Sequence, residues 1–262
     1  MCLQTKSVHT VTVIGSGNVA THLSWALLAA GYKISQVLSR NKGHALRLAS
    51  QVGAQPLDRV SELYPHSDVY LLAVNDDALY DLAAQLRLPE GLVVHTSGST
   101  PASVLAPISP TYGVVWSPQT FVRDIPMQYS HLPLCIEGNS SYTVEAIEAL
   151  FSPVSDNLHR LNWEQRRWAH LAAVVVNNFG NAINALAQEI TTQHGIDFSI
   201  LRPLMEGTLH KADHGSLWPQ QTVPARRHDQ KTLDAQRALL ANDEQLLQLY
   251  DLMTEIIQSR GK

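Results

Sequence analysis

The sequence is sparing with cysteine, with charge and with uninterrupted apolar stretches. Two cysteines, Cys2 and Cys135, stand in no paired or metal-ligand spacing, so neither a disulfide framework nor a thiolate metal site is expected, and a reducing, cytoplasmic compartment fits. Nineteen Lys and Arg against 23 Asp and Glu leave a net charge of -4 with no basic run, which argues against a nucleic-acid partner. The first nine residues lack a positive start followed by an apolar core, so no export signal is expected. Residues 169–188 carry no formal charge, but His170, Asn177, Asn178, Asn181 and Asn184 would be costly in hydrocarbon; the stretch reads as a buried helix and no membrane partner is expected.

What is present is a chain of 262 residues, 45% apolar and 16% charged, long enough for one large domain or two ordinary ones with a full core. Its first half alternates β-branched runs (10–14, 34–38, 69–74, 92–95, 113–116) with amphipathic helical patterns (18–30, 44–52, 77–86), several closed by glycine. Strands that are apolar throughout belong to parallel sheets covered on both faces, so the pattern predicts an α/β fold with a doubly wound, mostly parallel Rossmann sheet. A strand at 134–136 and a helix at 143–151 complete it. Beyond Trp163 nearly everything has helical period: 163–194, 199–214 and two segments within 230–259. The expected division is a dinucleotide-binding domain over 1–158 and a helical C-terminal domain over 159–262.

The strongest local signal is Gly15-Ser16-Gly17-Asn18-Val19-Ala20, a Gly-x-Gly-x-x-Ala between the first strand and the first helix. Gly15 permits the tight turn and Gly17 the approach of a pyrophosphate, while Ala20 lets helix and strand pack closely. At the end of the second strand stands Ser39-Arg40 in place of the carboxylate that would bind the ribose of NAD, which points to the 2′-phosphate of NADP. Val74, Asn75, Ser97 and Gly98 close two further strands at the ligand edge of the sheet and complete the expected cofactor contacts. Asp76 reads as the N-cap of a helix beginning at Asp77. The Gly-x-Ser-x-Gly elbow of a hydrolase is missing around Ser97.

At 100° per residue, Arg166, His170, Asn177, Asn181, Asn184 and Gln188 fall within about 40° of one line along the long helix. A stripe of histidine and amides, without Lys or Glu, suits a wall facing a ligand cleft better than a solvent face. His210 and His214 lie four apart with His228 beyond, but the adjacent Glu of a metalloprotease is missing, and no metal is expected. Arg226 and Arg227 could meet an anionic substrate or the solvent equally well.

These motifs together, with Gln119-Thr120-Phe121, residues 170–179, Leu201-Arg202-Pro203-Leu204-Met205-Glu206-Gly207-Thr208 and residues 224–229, resemble a bacterial family that joins a Rossmann-like NADP-binding domain to a C-terminal helical domain. That family is related to pyrroline-5-carboxylate reductase, ketopantoate reductase and the 6-phosphogluconate dehydrogenase superfamily. The resemblance implies an NADP-dependent oxidoreductase acting on a small polar carbonyl or imine, and a homodimer built on the helical domain. With the polar stripe of the long helix, the expected catalytic set is His170, Asn177 and Asn178, with Gln119 and Asn181 contacting substrate. The sequence departs from its relatives at Trp116-Ser117-Pro118, and between Lys42 and Lys211 it has no lysine to act as the proton donor of the hydroxyacid dehydrogenases. His170, whose unperturbed pKa is near 6.5, takes that role in the sequence reading. The competing reading is an NADP-binding sensor or scaffold without turnover.

Overall fold

The computed structural model describes residues 10–123, 125, 127–213 and 215–260; Cys2 and His214 lie outside them. Eight strands form one sheet in the order β3-β2-β1-β4-β5-β6-β7-β8, with β1 at Thr10–Ile14, β2 at Lys33–Leu38, β3 at Gln55–Leu57, β4 at Val69–Leu72, β5 at Leu92–His95, β6 at Tyr112–Trp116, β7 at Leu134–Gly138 and β8 at Leu158–Arg160. Every pairing is parallel except β6 with β7. This is the expected doubly wound α/β architecture. Its direction reverses between β1 and β4, where such sheets open a crevice for ligand. Residues of β4 and β5 are buried without alternation, as covered parallel strands require. The two strands that the sequence reading does not include are short and at the sheet's margins; β3 contains Pro56, which an edge strand tolerates because it owes fewer ladder bonds.

Helices α1 (Asn18–Ala29), α2 (Lys42–Val52), α3 (Asp76–Gln85) and α4 (Ser141–Phe151) cover the sheet. One core joins α1, α2 and α4 to one face through Leu23, Leu27, Leu48, Ile147 and Phe151, and a second joins α3 to the other through Leu79 and Leu82. The long segment after residue 163 is α5 (Trp163–Ala173), a π-helical stretch at Val174–Phe179, and α6 (Gly180–Gln193). Then come α7 (Arg202–Ala212), α8 (Gln230–Leu239) and α9 (Glu244–Arg260). Among the described residues no helix is long and apolar enough to cross a membrane.

By its internal contacts the chain forms two compact units, Met1–Gly180 and Asn181–Lys262. The first takes in α5, because Arg166 reaches into the sheet and Ala169 and Ala173 pack beside Trp116 and Cys135. The second is helical, with α8 and α9 tied by the Arg237–Asp251 ion pair and by Tyr250 Oη donating to Gln236 Oε1 at 2.7 Å.

Two expectations about the long helix need correction. It is not buried by its own chain: Val176 is 79% exposed, Trp168 65% and Phe179 55%, because only one edge of α5 meets the sheet. Nor do its polar residues within the first unit share one line. The π-helical turn shifts the phase after Ala173, so Asn177 does not continue the row of Arg166 and His170. Arg166 leaves the stripe altogether, being fully buried.

Candidate functional site

The glycine loop has the backbone that its sequence demands. Gly15 adopts φ +121°, and a Cβ there would lie 2.1 Å from the Ala73 carbonyl oxygen, so no side chain fits. Gly17 is the N-cap of α1 and offers no side-chain cap, while a Cβ added to it would meet nothing within 4 Å. The first turn of α1 thus carries no side-chain cap and its Gly17, Asn18 and Val19 line a cavity, which is what an anion at a helix N-terminus requires. Ser16 donates its hydroxyl to Ser39 Oγ at 2.8 Å and so links the loop to the end of β2.

A cavity of about 1100 Å³ opens here, lined by Gly15, Ser16, Gly17, Asn18, Val19, Ser39, Arg40, Val74 and Asn75 among others. A dinucleotide fits this size and donor set. Arg40 is exposed and forms no hydrogen bond or ion pair among the described residues. Thr96, Asn41, His44, Arg59 and Ser61 also line the cavity and escaped the sequence reading. For Asn41 and His44 the signal was present, since α2 begins there directly after the motif residue Arg40; Arg59 and Ser61 come from a loop after β3 that no motif marks.

Ser97 and Gly98 lie outside that lining. They build a tight loop instead: Ser97 Oγ accepts from the backbone N–H groups of Ser99 (3.1 Å) and Thr100 (2.9 Å). The loop is held from α5 by Arg166, whose Nη1 donates to the Ser97 carbonyl at 2.7 Å and whose Nη2 donates to that of Thr100 at 2.9 Å. Its Nε and Nη2 also reach Glu137 Oε2 at 3.1 and 3.0 Å. Beneath it, fully buried His95 accepts the Ser97 N–H at Nδ1, so the ring proton sits on Nε2, which makes no hydrogen bond of good geometry among the described residues. Burial, with the nearby Arg166 charge, lowers its pKa to about 4.

Asp76 does not cap α3. The helix begins at Asp76 with Asn75 as its N-cap, and the Asp76 carboxylate turns to accept the hydroxyl of Ser99. Burial works against its ionisation, but hydrogen bonds from Ser99, Ser97 and Thr100 outweigh it and hold the carboxyl below the usual range.

His170 sits against this loop. Its ring packs edge-on to Trp116 at 5.6 Å between centroids, and a Cβ at Gly98 would come within 2.4 Å of its Cδ2. Neither ring nitrogen has a hydrogen-bond partner among the described residues. Asn177 Nδ2 donates to Thr120 Oγ1 at 2.9 Å and to Asn178 Oδ1 at 3.3 Å, next to exposed Gln119. Asn181 and Asn184 belong to the second unit, exposed on α6. Sequence reasoning also passed over Arg123, which donates from Nη2 to the Ser16 carbonyl at 2.9 Å, while Asn18 Nδ2 donates to the Phe121 carbonyl at 2.9 Å. Both bonds pin the 117–123 loop to the glycine loop.

Arg226 and Arg227 are spent on the carbonyls of Pro219, Gln221 and Thr222, which gives them a loop-holding task. His210 faces Asp213 at 3.8 Å. Among the described residues no group of three or more His, Cys, Asp or Glu could hold a metal.

A doubly wound sheet with an uncapped glycine-loop helix at its switch point defines a Rossmann-type dinucleotide-binding protein. A family model described as NADP oxidoreductase coenzyme F420-dependent matches residues 10–98, and a domain of unknown function, DUF2520, matches residues 132–257. A protein from Bacteroides fragilis described as an NADP oxidoreductase shares 32% identity over 97% of this chain and 99% of its own, with a TM-score of 0.88. The chain belongs to this family of NADP oxidoreductases and is an NADP-dependent enzyme. An imine reductase from Myxococcus stipitatus in complex with NADP+ shares the fold at 19% identity, covering 95% and 93% of the two chains with a TM-score of 0.68. A pyrroline-5-carboxylate reductase from Coxiella burnetii shares it at 16% identity, 97% and 98% coverage and a TM-score of 0.57. No protein of curated function matches the sequence.

Proposed function

We propose that the enzyme transfers hydride between NADP(H) and a small polar carbonyl or imine, with His170 as the proton-transfer residue. The observation that carries this reading is the place of His170: a half-buried imidazole on α5, with neither nitrogen hydrogen-bonded among the described residues, packed against the loop that closes β5 at the ligand edge. Bound NADPH would supply the hydride for the substrate carbon. His170 supplies the proton to the oxygen or nitrogen, and the pair of additions reduces the double bond. Asn177 and Asn178 orient that heteroatom; among the described residues the Asn177 Oδ1 and Asn178 Nδ2 have no partner, and Gln119 extends the same polar rim. Gly15, Ser16, Gly17, Asn18 and Val19 hold the diphosphate and Ser39 with Arg40 the 2′-phosphate, while Val74 and Asn75 form the floor beyond the diphosphate and Ser97 and Gly98, outside that lining, shape the neighbouring loop against His170.

In this reading residues 1–158 are the cofactor-binding part and residues 159–262 the helical part, in a cytoplasmic homodimer. The exposed apolar row Trp168, Leu171, Val175, Val176 and Phe179 supports the dimer, because a water-exposed row of this kind is stabilised by pairing across a two-fold axis. Light scattering should give twice the 28.9 kDa of one chain; a monomer at micromolar concentration contradicts the dimer. The catalytic assignment is tested by following NADPH oxidation at 340 nm across carbonyls and imines. His170→Gln should lower turnover by roughly 10² to 10⁴ with NADPH affinity unchanged. Equal turnover removes His170 from catalysis, and no turnover on any substrate favours a sensor.

A further inference from the structure

The carboxyl ends of β4 and β5 carry a charge that hydride transfer does not itself require. Asp76 forms no ion pair among the described residues; hydroxyl groups of the 97–100 loop hold its carboxylate, and the Arg166 charge that it feels is bonded to Glu137 instead. Arg166 is buried on Glu137 and two carbonyls, Arg123 is on the Ser16 carbonyl, and His95 is neutral. In a doubly wound sheet the end of β2 meets the adenosine half of the cofactor, so β4 and β5, across the switch point, meet the half that reacts. Asn75 and Thr96, beside Asp76 and Ser97, line the cavity at that end. His170 and Asp76 thus flank one short loop, the ring against Gly98 and the carboxylate on Ser99.

We propose that Asp76, oriented by Ser99, is a cation-recognition group for the substrate, which makes the substrate class protonated imines and their amine products, without a carboxylate or phosphate of their own. This rests on the NADP oxidoreductase reading and narrows it. A carboxylate at that position attracts an iminium N–H and repels hydroxy acids and imino acids alike. The chemistry balances when the imine reacts as its iminium ion: the neutral imine nitrogen takes its proton from His170 inside the site, Asp76 holds the cation so formed, and hydride from the cofactor would then add to the iminium carbon. The C=N π pair becomes the nitrogen lone pair, which leaves a neutral amine and NADP+.

The test is calorimetric titration of pyrrolidinium chloride and of cyclopentanecarboxylate, of similar ring size, into wild type, Asp76→Asn and Ser99→Ala, each with and without saturating NADP+. Pyrrolidinium should bind the NADP+-loaded wild type, weaken roughly 10- to 100-fold in Asp76→Asn and less in Ser99→Ala, and cyclopentanecarboxylate should not bind. Titrations of NADP+ and NADPH should match wild type in both variants, which shows that the fold and the cofactor site survive. The proposal is overturned if pyrrolidinium does not bind at millimolar concentration, if it binds wild type and Asp76→Asn equally, or if the carboxylate binds better. It is also overturned if Asp76→Asn weakens NADP+ but not the amine, which would give Asp76 to the nicotinamide cation. Failure of NADP+ to bind wild type would instead sink the cofactor reading, and the amine titration of cofactor-free protein would still report on Asp76.

Discussion

The imidazole of His170 occupies the space that any side chain at Gly98 would need: a Cβ there would lie 2.4 Å from His170 Cδ2, 2.9 Å from its Cγ and 2.8 Å from Trp116 Nε1. None of these atoms is the loose end of a flexible chain, so the ring has to move. Gly98→Ala is expected to displace His170 and to lower turnover about 10²-fold, since small misplacements of a catalytic group are that costly. NADPH affinity should stay near the wild-type value, because Gly98 does not line the cofactor cavity. Steady-state kinetics with a parallel NADPH titration checks this, and full turnover in the variant would contradict the contact's catalytic meaning.

Arg166 joins the long helix to the sheet through four hydrogen bonds to Glu137, Ser97 and Thr100, with its side chain fully buried. Arg166→Ala would strand two carbonyls and leave Glu137 without its cation, which costs about 3 to 5 kcal/mol for a buried pair. Urea unfolding should show a loss of that size. Arg166→Lys should recover only part of it, because an ammonium cannot serve the carboxylate and both carbonyls at once.

His95 should make the protein acid-sensitive. Its pKa is about 4 in the folded chain against 6.5 in the unfolded one, so between those values the unfolded state binds more protons. The contribution is fully present above pH 6.5 and is lost as pH falls to 4, in total about 3 kcal/mol. Protonating Nδ1 would also break its bond from the Ser97 N–H. Stability measured by urea unfolding between pH 7 and pH 4 should fall more steeply for wild type than for His95→Asn; equal slopes would show that His95 is not held neutral.

The glycine loop and the central strands were legible because their signals are local: glycines at positions 15 and 17, and β-branched runs that no solvated strand would carry. Asp76 was misread because helix capping is also local logic, whereas its partner Ser99 comes from the next strand's end, 23 residues on. Arg166 lost its place in the stripe for the same reason, as Glu137 is 29 residues back along the chain. The phase shift after Ala173 has no residue signature that a helical-wheel count could register, so the amide row looked continuous. The exposure of Val176 and Phe179 is invisible to periodicity, which gives a helix's apolar side but not whether its own chain covers it.

The central claim is the proposal that the enzyme recognises NADP through Arg40, a guanidinium at the cavity's β2 end with no partner among the described residues. Titrating NADPH and NADH into wild type and Arg40→Ala by fluorescence measures it most directly. The charge-assisted contact to the 2′-phosphate should make NADPH bind wild type about 10- to 150-fold more tightly than NADH, equivalent to roughly 1.5 to 3 kcal/mol, and the variant should lose that difference while keeping its NADH affinity. Equal affinities in wild type, or an unchanged preference in Arg40→Ala, would contradict the account.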